Sequence, residues 1–214
     1  MESIIQISDF HIETDAKRVL ELLDCNENNQ IYAQVLEEYY SIEKYVGGLL
    51  EPKGLLLFDS IPLEISSADC PPGARAAYVI TTVGARAEEY STKMFREEAY
   101  LKGLLADAIA DVGLFSMDVD IETVLKEECA SRYLGIAKRL EAPGDIPIHA
   151  QKVAFDKLHA DSLMEIAIST GYMFNPAKTI CQVFLLSQDP KVFEVRHDCR
   201  DCKALHCKLR HRFS

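Results

Sequence analysis

The sequence predicts an α+β fold in which a mainly antiparallel, twisted sheet packs with helices. Helical and strand patterns both occur along the 214 residues, but they do not alternate as strictly as a doubly wound parallel sheet requires. Hydrophobic residues make up 48% of the chain and charged residues 27%, which is typical of an ordinary globular protein. The length suits one substantial core. We therefore predict one domain, residues 1–195, followed by a short tail, residues 196–214.

Two helices are predicted near the start of the chain. The segment "DAKRVLELLD", residues 15–24, carries two pairs of apolar residues after Asp15, which can cap the first turn. In residues 29–45, apolar side chains recur at steps of three and four, which is typical of an amphipathic helix. The pair Gly47 and Gly48 predicts its end.

Two strands and a long helix are predicted next. Residues 54–65 and 76–84 are short apolar segments rich in residues that suit strands, and the "CPPG" between them is a turn sequence. A long helix should begin near Ala87, because apolar residues then recur at i, i+3, i+4, i+7, i+8 and i+11. Gly113, or one of the next few residues, is expected to end this helix.

The second half of the chain predicts two more helices and two more strands. Residues 120–135 open on Asp-x-x-Thr, a weak form of the capping box, and predict a helix. A second helix is expected near residues 149–158. Two apolar segments, residues 163–174 and 179–186, predict strands separated by the turn sequence "NPAK". The sheet should pack against the long helix and the helix that follows it.

The net charge of -11 is unevenly distributed along the chain. Residues 196–214 contain six lysines or arginines and two aspartates, so the tail carries +4 and the rest of the chain carries -15. An acidic body disfavours nucleic acid as a partner, because nonspecific nucleic-acid binding depends on neutralising phosphates. The basic tail either docks an acidic partner or solvates an exposed end.

The start of the chain and its hydropathy predict a cytoplasmic protein with no membrane partner. No apolar run reaches the roughly 18 residues that a membrane span needs. Residues 1–20 include Glu2, Asp9 and Glu13, whereas a signal peptide is basic and then apolar.

Three of the seven cysteines fall in the last sixteen residues, where Cys199, Cys202 and Cys207 form a C-x2-C-x4-C pattern. The other four are scattered, so no disulfide framework is predicted in a reducing compartment. A two-residue gap lets two thiolates face one ion, which favours a metal or a cluster. Three thiolates can hold a 4Fe-4S cluster, and with His197 or His206 they can hold structural zinc. A frayed end that binds no metal is the third alternative.

Two segments are similar in sequence to motifs of one protein family. The segment "RLEAPGDIP", residues 139–147, is similar to an R-x-x-P-G-Y loop, and "AISTGYMFNPAKTICQVFLLS", residues 167–187, is similar to a T-E-S-x-x-M-x-P-x-x-S-V-S strand pair. Read together, residues 137–193 resemble the activation domain of cobalamin-dependent methionine synthase and its free-standing relatives. Weaker matches lie in the same order at residues 15–24, 81–89 and 105–113.

The resemblance implies a function in reductive reactivation. In that family the domain binds S-adenosylmethionine and presents it to a corrinoid that has been oxidised to the Co(II) state. An electron from flavodoxin or ferredoxin makes Co(I), and methyl transfer traps it. The implied partners are a corrinoid protein or cobalamin-dependent methionine synthase, which presents the cobalamin, and flavodoxin or ferredoxin as electron donor. Free-standing relatives often carry a C-terminal cysteine cluster, and a one-electron carrier suits this reaction better than redox-inactive zinc.

The resemblance also implies which residues bind S-adenosylmethionine. Asp15 matches the acidic residue for the amino group, and Arg139 matches the arginine for the carboxylate. The other matched positions are Ala142, Pro143 and Gly144 for the backbone of the loop, and Phe184 and Leu185 for the adenosine end.

The ligand loop departs from the family motif in two ways. Asp145 stands where the family has tyrosine, and the spacing from Arg139 to Gly144 is one residue longer. A carboxylate cannot stack as a phenol does, although it can attract a sulfonium. Two alternatives therefore remain open: a noncatalytic adaptor that kept the fold and lost the ligand, and a methyltransferase acting on a small substrate. The second ranks last, because no glycine-rich nucleotide loop follows a strand.

Overall fold

The computed structural model describes residues 3–140 and 142–196, which form seven strands and six α-helices. Helices on both faces of a five-stranded sheet give an α+β fold, as the sequence predicts. The elements are β1 (Ile5–Ile7), α1 (Ala16–Leu22), α2 (Tyr32–Gly47), β2 (Lys53–Ser60), β3 (Arg75–Thr82), α3 (Arg86–Arg96), α4 (Tyr100–Ser131), β4 (Gly135–Leu140), α5 (Ala150–Lys157), α6 (Ala160–Met164), β5 (Ala167–Ile168), β6 (Phe174–Asn175) and β7 (Thr179–Ser187).

The main sheet has the strand order β1-β2-β3-β7-β4, and every neighbouring pair of named strands is antiparallel. Strand β3 lies at its centre, and residues 76–82 of this strand are all buried. A strand covered on both faces carries a continuous apolar run rather than an alternating one, which explains why the apolar residues 76–80 follow one another without a break, before two buried threonines. The mainly antiparallel prediction is confirmed. Strands β5 and β6 form a separate two-stranded sheet.

Alternate residues of each strand face two different cores. In β2, Leu55 and Leu57 pack on the side of the sheet that α5 and α6 cover, whereas Leu56 and Phe58 pack on the side of α4. A third cluster joins α1 and α2 to the first half of α4. Helix α4 therefore contributes to two of the three cores.

Helix α4 is a single 32-residue helix, where the sequence predicts parts of two. The expected stop, Gly113, lies in its interior and is buried. A Cβ atom at this position would lie 2.8 Å from Leu50 Cδ1 and 3.3 Å from Ile12 Cγ2. Glycine is thus placed there for a close packing contact and not to end the helix.

Two helix ends and one strand differ from the sequence-based prediction. The expected long helix from residue 87 is broken into α3 and α4 by Glu98, whose φ is +61°. The helix predicted over residues 120–135 ends at Ser131, because Tyr133 takes a φ of +53° and turns the chain into β4. The strand predicted over residues 163–174 is replaced by the end of α6 and two strands of two residues each.

Candidate functional site

Arg139 lies on β4, the edge strand of the sheet as the named strands define it, and is paired in register with Phe184 of β7. Paired residues of neighbouring strands point to the same face, so both side chains lie on the side of α4. Arg139 Nη1 donates to Asp118 Oδ2 of α4 at 3.1 Å, and the arginine side chain is 15% exposed. The edge of the sheet thus holds a guanidinium in one orientation, close to the surface.

Gln182 of β7 completes this arrangement from the other side of Asp118. Its Nε2 donates to Asp118 Oδ1 at 2.7 Å, so each carboxylate oxygen of Asp118 accepts from a different strand. The glutamine side chain is buried, and its Oε1 has no hydrogen-bond donor among the residues that the structure describes. Asp118 and Gln182 together restrict the position of Arg139.

Four carboxylates lie along one side of α4, at spacings of four, seven and four residues, and we call them the acidic stripe. They are Asp107, Asp111, Asp118 and Glu122. With 3.6 residues per turn, these spacings keep all four on one side of the helix. Lys178 Nζ lies 2.9 Å from Asp107 and 2.8 Å from Asp111, and Arg196 Nε lies 3.6 Å from Glu122. With Arg139 on Asp118, each carboxylate of the stripe has a cationic partner.

Lys178 is the most buried cation of this group, at 11% side-chain exposure. Burial opposes its charge, but the hydrogen bonds from its ammonium to Asp111 and Asp107 raise the pKa of Lys178 above its ordinary value. Burial raises the pKa of Asp111, and the hydrogen bond from Lys178 offsets part of that effect. The ammonium of Lys178 thus favours the ionised form of Asp111.

The loop after β4 contains three more residues of the expected ligand site, Ala142, Pro143 and Gly144. Ala142 packs against the core on the side of α5 and α6. At the base of the loop, Lys138 Nζ donates to Asp145 Oδ1 at 2.6 Å. The aspartate that stands in place of the family's tyrosine is thus bound to a neighbouring lysine.

The structure brings some of the predicted site residues together and separates others. Arg139 and Phe184 share the α4 side of the sheet, although Phe184 is fully buried there. Leu185 lies on the opposite side and packs with Ala142 against the α5 and α6 core. Asp15 caps α1, where its Oδ1 accepts from the backbone of Arg18 at 3.0 Å.

Comparisons with known proteins bear on the fold of this chain. No family model matches its sequence, and no curated protein matches it. Among solved structures, the crystal structure of the MetH reactivation domain bound to AdoHcy superposes with a TM-score of 0.61. The match covers 92% of this chain and 82% of the other, at 12% sequence identity. This chain has the fold of the MetH reactivation domain.

At this level of identity the likeness to the MetH reactivation domain concerns the fold alone. The likeness supports the predicted resemblance at the level of the fold. The AdoHcy in that crystal structure is bound by the MetH reactivation domain. The expected roles of Asp15, Arg139, the 142–144 loop, Phe184 and Leu185 remain predictions. In the part of the chain that the structure describes, no helix is both long and apolar enough to span a membrane.

Asp118, Gln182 and Lys178 are the polar residues of the site that sequence reasoning missed. Gln182 had a detectable signal, because it is the one amide within the apolar run "TICQVFLLS". The acidic stripe also had one, since its spacings match a helix. Neither signal identifies a partner, because Asp118 is 21 residues from Arg139 and 64 residues from Gln182 along the chain.

The cysteine motif falls outside the described residues. Cys199, Cys202 and Cys207 all lie beyond Arg196, so their ligation stays a prediction. Within residues 3–140 and 142–196, no group of three His, Cys, Asp or Glu side chains is arranged to hold a metal ion.

A surface groove of about 430 Å³ lies on the opposite side of the sheet from Arg139. Both of its lysines are paired with aspartates, Lys152 with Asp156 and Lys157 with Asp59. Arg139 is also paired, but its partner Asp118 is itself held by Gln182, and Arg139 matches the arginine of the predicted ligand loop, so we place the candidate site at Arg139. The groove is lined by Pro62, Glu64, His149, Lys152, Val153, Asp156, Lys157 and Tyr172.

Proposed function

We propose that this chain binds S-adenosylmethionine and supports the reductive reactivation of a corrinoid-dependent methionine synthase or methyltransferase. The fold, shared with the MetH reactivation domain bound to AdoHcy, is consistent with this function. The observation that carries the proposal is the oriented guanidinium of Arg139, which Asp118 holds at the edge of the sheet, three residues before the 142–144 loop.

Arg139 would bind the carboxylate of S-adenosylmethionine. A guanidinium recognises a carboxylate best through two parallel hydrogen bonds, which requires a fixed orientation of its plane. Asp118 and Gln182 supply that orientation as positioning residues. Gly144 has no side chain, so a ligand can approach the backbone of the loop closely.

The bound S-adenosylmethionine would serve as methyl donor to a corrinoid that a partner protein presents. Flavodoxin or ferredoxin supplies one electron to cob(II)alamin, and the resulting cob(I)alamin takes the methyl group from the sulfonium. The products are methylcobalamin and S-adenosylhomocysteine. Removal of cob(I)alamin by methyl transfer pulls an unfavourable reduction forward.

Replacing Arg139 with alanine should weaken S-adenosylmethionine binding about tenfold to a hundredfold. Loss of a charge-assisted pair from a partly buried site costs on the order of 1.5 to 3 kcal/mol. Isothermal titration calorimetry of the wild type and of Arg139→Ala measures the difference. Arg96→Ala is the matched control, because it removes the same charge from an exposed position on α3.

Three outcomes of this titration are informative. Equal affinity in Arg139→Ala and wild type would mean that S-adenosylmethionine does not bind at Arg139 on β4. The absence of binding heat with the wild type would contradict the proposed binding of S-adenosylmethionine. Asp118→Asn should retain the shape of the site, and we expect its affinity to lie between those of the wild type and Arg139→Ala.

A noncatalytic adaptor is the second candidate function. It is favoured by the ion pair between Asp145 and Lys138, which occupies the position of the family's tyrosine at the base of the loop. The two candidates differ in a direct assay that combines an oxidised corrinoid protein, a low-potential electron donor and S-adenosylmethionine. If the chain supports reactivation, methylcobalamin should form faster when the chain is added. If the chain is an adaptor, the cob(II)alamin spectrum should stay unchanged.

We also propose that Cys199, Cys202 and Cys207 ligate a 4Fe-4S cluster, with structural zinc as the alternative. A corrinoid reductant gains from a one-electron carrier, whereas zinc has no redox chemistry. Anaerobically purified protein should then be brown, with roughly four irons per chain. Zinc that persists after iron reconstitution would make the motif structural, and colourless protein that takes up neither metal would exclude both.

A further inference from the structure

The groove on the α5 and α6 side of the sheet is formed by three separate segments that meet at His149. The Nε2 atom of His149 donates to the carbonyl oxygen of Glu64 at 2.8 Å, and the centroid of its ring lies 6.1 Å from that of Tyr172. Glu64 belongs to a single turn of 3-10 helix, Leu63–Ile65, and Tyr172 lies in the turn between β5 and β6. The residue that precedes α5 thus contacts both walls of the groove.

Two exposed apolar side chains extend the surface beyond this groove. Leu63 is 78% exposed and Met173 is 65% exposed, and each is next in sequence to a residue that lines the groove, Glu64 and Tyr172. Leu63 and Met173 themselves lie outside the lining of the cavity of about 430 Å³. A small molecule inside the cavity would leave both of them exposed to water, whereas a polypeptide can fill the cavity and also cover its rim. The apolar rim therefore favours a polypeptide as the occupant.

The turn that carries Tyr172 and Met173 is fixed before any partner binds. The carbonyl oxygen of Ser169 accepts from Tyr172 N at 3.0 Å, and the Ser169 hydroxyl accepts from Met173 N at 3.0 Å. Tyr172 has a φ of +63°, which is unfavourable for a residue with a side chain. Backbone strain of this kind is concentrated at binding sites, and a rigid surface loses little entropy when a partner binds.

The charges of the groove determine the chemistry of the occupant. Lys152 is paired with Asp156, and Lys157 is paired with Asp59, so neither lysine requires an anion from a partner. Among the residues that the structure describes, no lysine or arginine pairs with the exposed carboxylate of Glu64. The groove thus has one negative charge that is not neutralised. A complementary segment is apolar and carries one basic residue.

We propose that this groove is a docking site for a partner protein, which packs an apolar side chain against Tyr172 and Val153 and places a lysine or arginine beside Glu64. The same segment of the partner covers Leu63 and Met173. A second copy of this chain is disfavoured as the occupant, because residues 1–195 carry a charge of -15. The groove lies on the opposite side of the sheet from Arg139, so the docking does not depend on the proposed function.

Selection of random peptides displayed on phage, with the full 214-residue chain as the target, tests this docking site. We expect the selected peptides to share a large apolar residue close to one lysine or arginine. The affinities of labelled peptides for the wild type and for variants are then measured by fluorescence anisotropy. Leu63→Ser and Met173→Ser should each weaken binding about tenfold, because both side chains become buried in the complex.

Two further substitutions probe the specificity of the site. Val119→Ser is the matched control, because Val119 is 70% exposed on α4, and this variant should bind as tightly as the wild type. Glu64→Gln should weaken binding severalfold at low salt. That loss should disappear at about 1 M salt, where charge attraction is screened.

Tyr172→Asn separates binding from folding. Asparagine tolerates a positive φ, so the turn should keep its shape and the melting temperature should stay within about 3 °C of the wild type. The affinity for the selected peptides should nevertheless fall about tenfold or more. A loss of thermal stability with unchanged affinity would contradict the binding role of Tyr172.

Four other results would overturn the proposal. They are a selection that yields no peptide, a set of acidic peptides, affinities that Leu63→Ser and Met173→Ser leave unchanged, and a wild-type dimer in sedimentation velocity that Leu63→Ser dissociates. In the last case the occupant would be a second copy of this chain. These experiments contain no S-adenosylmethionine, so their outcome is independent of the calorimetric test.

Discussion

Replacing Lys178 with alanine should destabilise the protein by about 2 to 3 kcal/mol at neutral pH. The substitution leaves Asp107 and Asp111 side by side without their cation. Removal of one partner from a buried ion pair costs about 3 to 5 kcal/mol. We place the loss below that range because the side chain of Asp107 is 47% exposed and water can solvate it. Urea unfolding of both proteins gives the difference in free energy.

The penalty of Lys178→Ala should depend on pH. Burial already raises the pKa of Asp111, and loss of the ammonium would raise it further. A carboxyl group with a raised pKa in the folded state destabilises that state when it is ionised, so the penalty should shrink as the pH falls from about 7 to about 5. The opposite sign applies to wild-type Lys178, whose raised pKa gives stability that is lost only as the pH rises through that pKa.

Lys93→Ala is the control for this experiment. Lys93 and Glu97 form an ion pair at 3.8 Å on α3, and both side chains are more than half exposed. Exposed pairs of this kind contribute about 0.5 kcal/mol or less. If Lys178→Ala were no more destabilising than Lys93→Ala, or if its penalty grew on acidification, the buried cluster would not have the electrostatic role that we assign to it.

Gly135→Ala should destabilise the protein by about 3 kcal/mol. A Cβ atom at this position would lie 2.2 Å from the carbonyl oxygen of Asp189 and 2.3 Å from that of Val192. Both obstacles are backbone atoms, so no side-chain rotation relieves the clash, and overpacking of this kind costs about 1 to 3 kcal/mol or more. The 189–192 turn would have to move, together with the hydrogen bond from Ile136 to Val192. Thermal and urea unfolding measure the loss.

Gly47→Ala is the matched glycine substitution. A Cβ atom at Gly47, the last residue of α2, would have nothing within 4 Å, and alanine is a better helix former than glycine. We expect this variant to be neutral or to gain up to about 1 kcal/mol. Wild-type stability in Gly135→Ala would mean that the C-terminal segment does not pack against β4 as described.

Gly135 and Lys178 lie at opposite ends of the region where α4 packs against the edge of the sheet. Gly135 lets the C-terminal segment approach the start of β4, and Lys178 neutralises the first half of the acidic stripe. Arg139 and Asp118 lie between them, where β4 meets α4. The candidate ligand site therefore depends on an edge strand that is packed on one side by β7 and bridged on the other by residue 193.

The sequence predicted Arg139 of the candidate site, but not Asp118 and Gln182, which hold it in place. The resemblance pointed to Arg139, which lies on the α4 side of the edge strand, and to the 142–144 loop, whose Ala142 packs on the side of α5 and α6. It also pointed to Leu185, which lies on the other side of the sheet from Arg139. The orientation of Arg139 depends on Asp118 and Gln182, and local sequence patterns contain no information on contacts over 21 and 64 residues.

The fold class, and those elements whose patterns are local, could be predicted from the sequence alone. The 3.6-residue period of α2, the apolar runs of β2, β3 and β7, and the absence of strict βαβ alternation were sufficient for an α+β prediction. These signals hold because burial on one face of a helix, or on both faces of a central strand, dictates residue type directly.

The ends of the long helices and the start of β4, in contrast, depend on tertiary packing. Glu98 and Tyr133 close helices with positive φ angles, a role in which glycine is expected, whereas Gly113 lies inside α4 against Leu50. Neither residue type carries a stop signal, because the left-handed conformation is unfavourable for both in isolation. Packing of α3, α4 and β4 onto their shared cores supplies the free energy that holds the chain in those conformations, and such packing has no counterpart in local sequence.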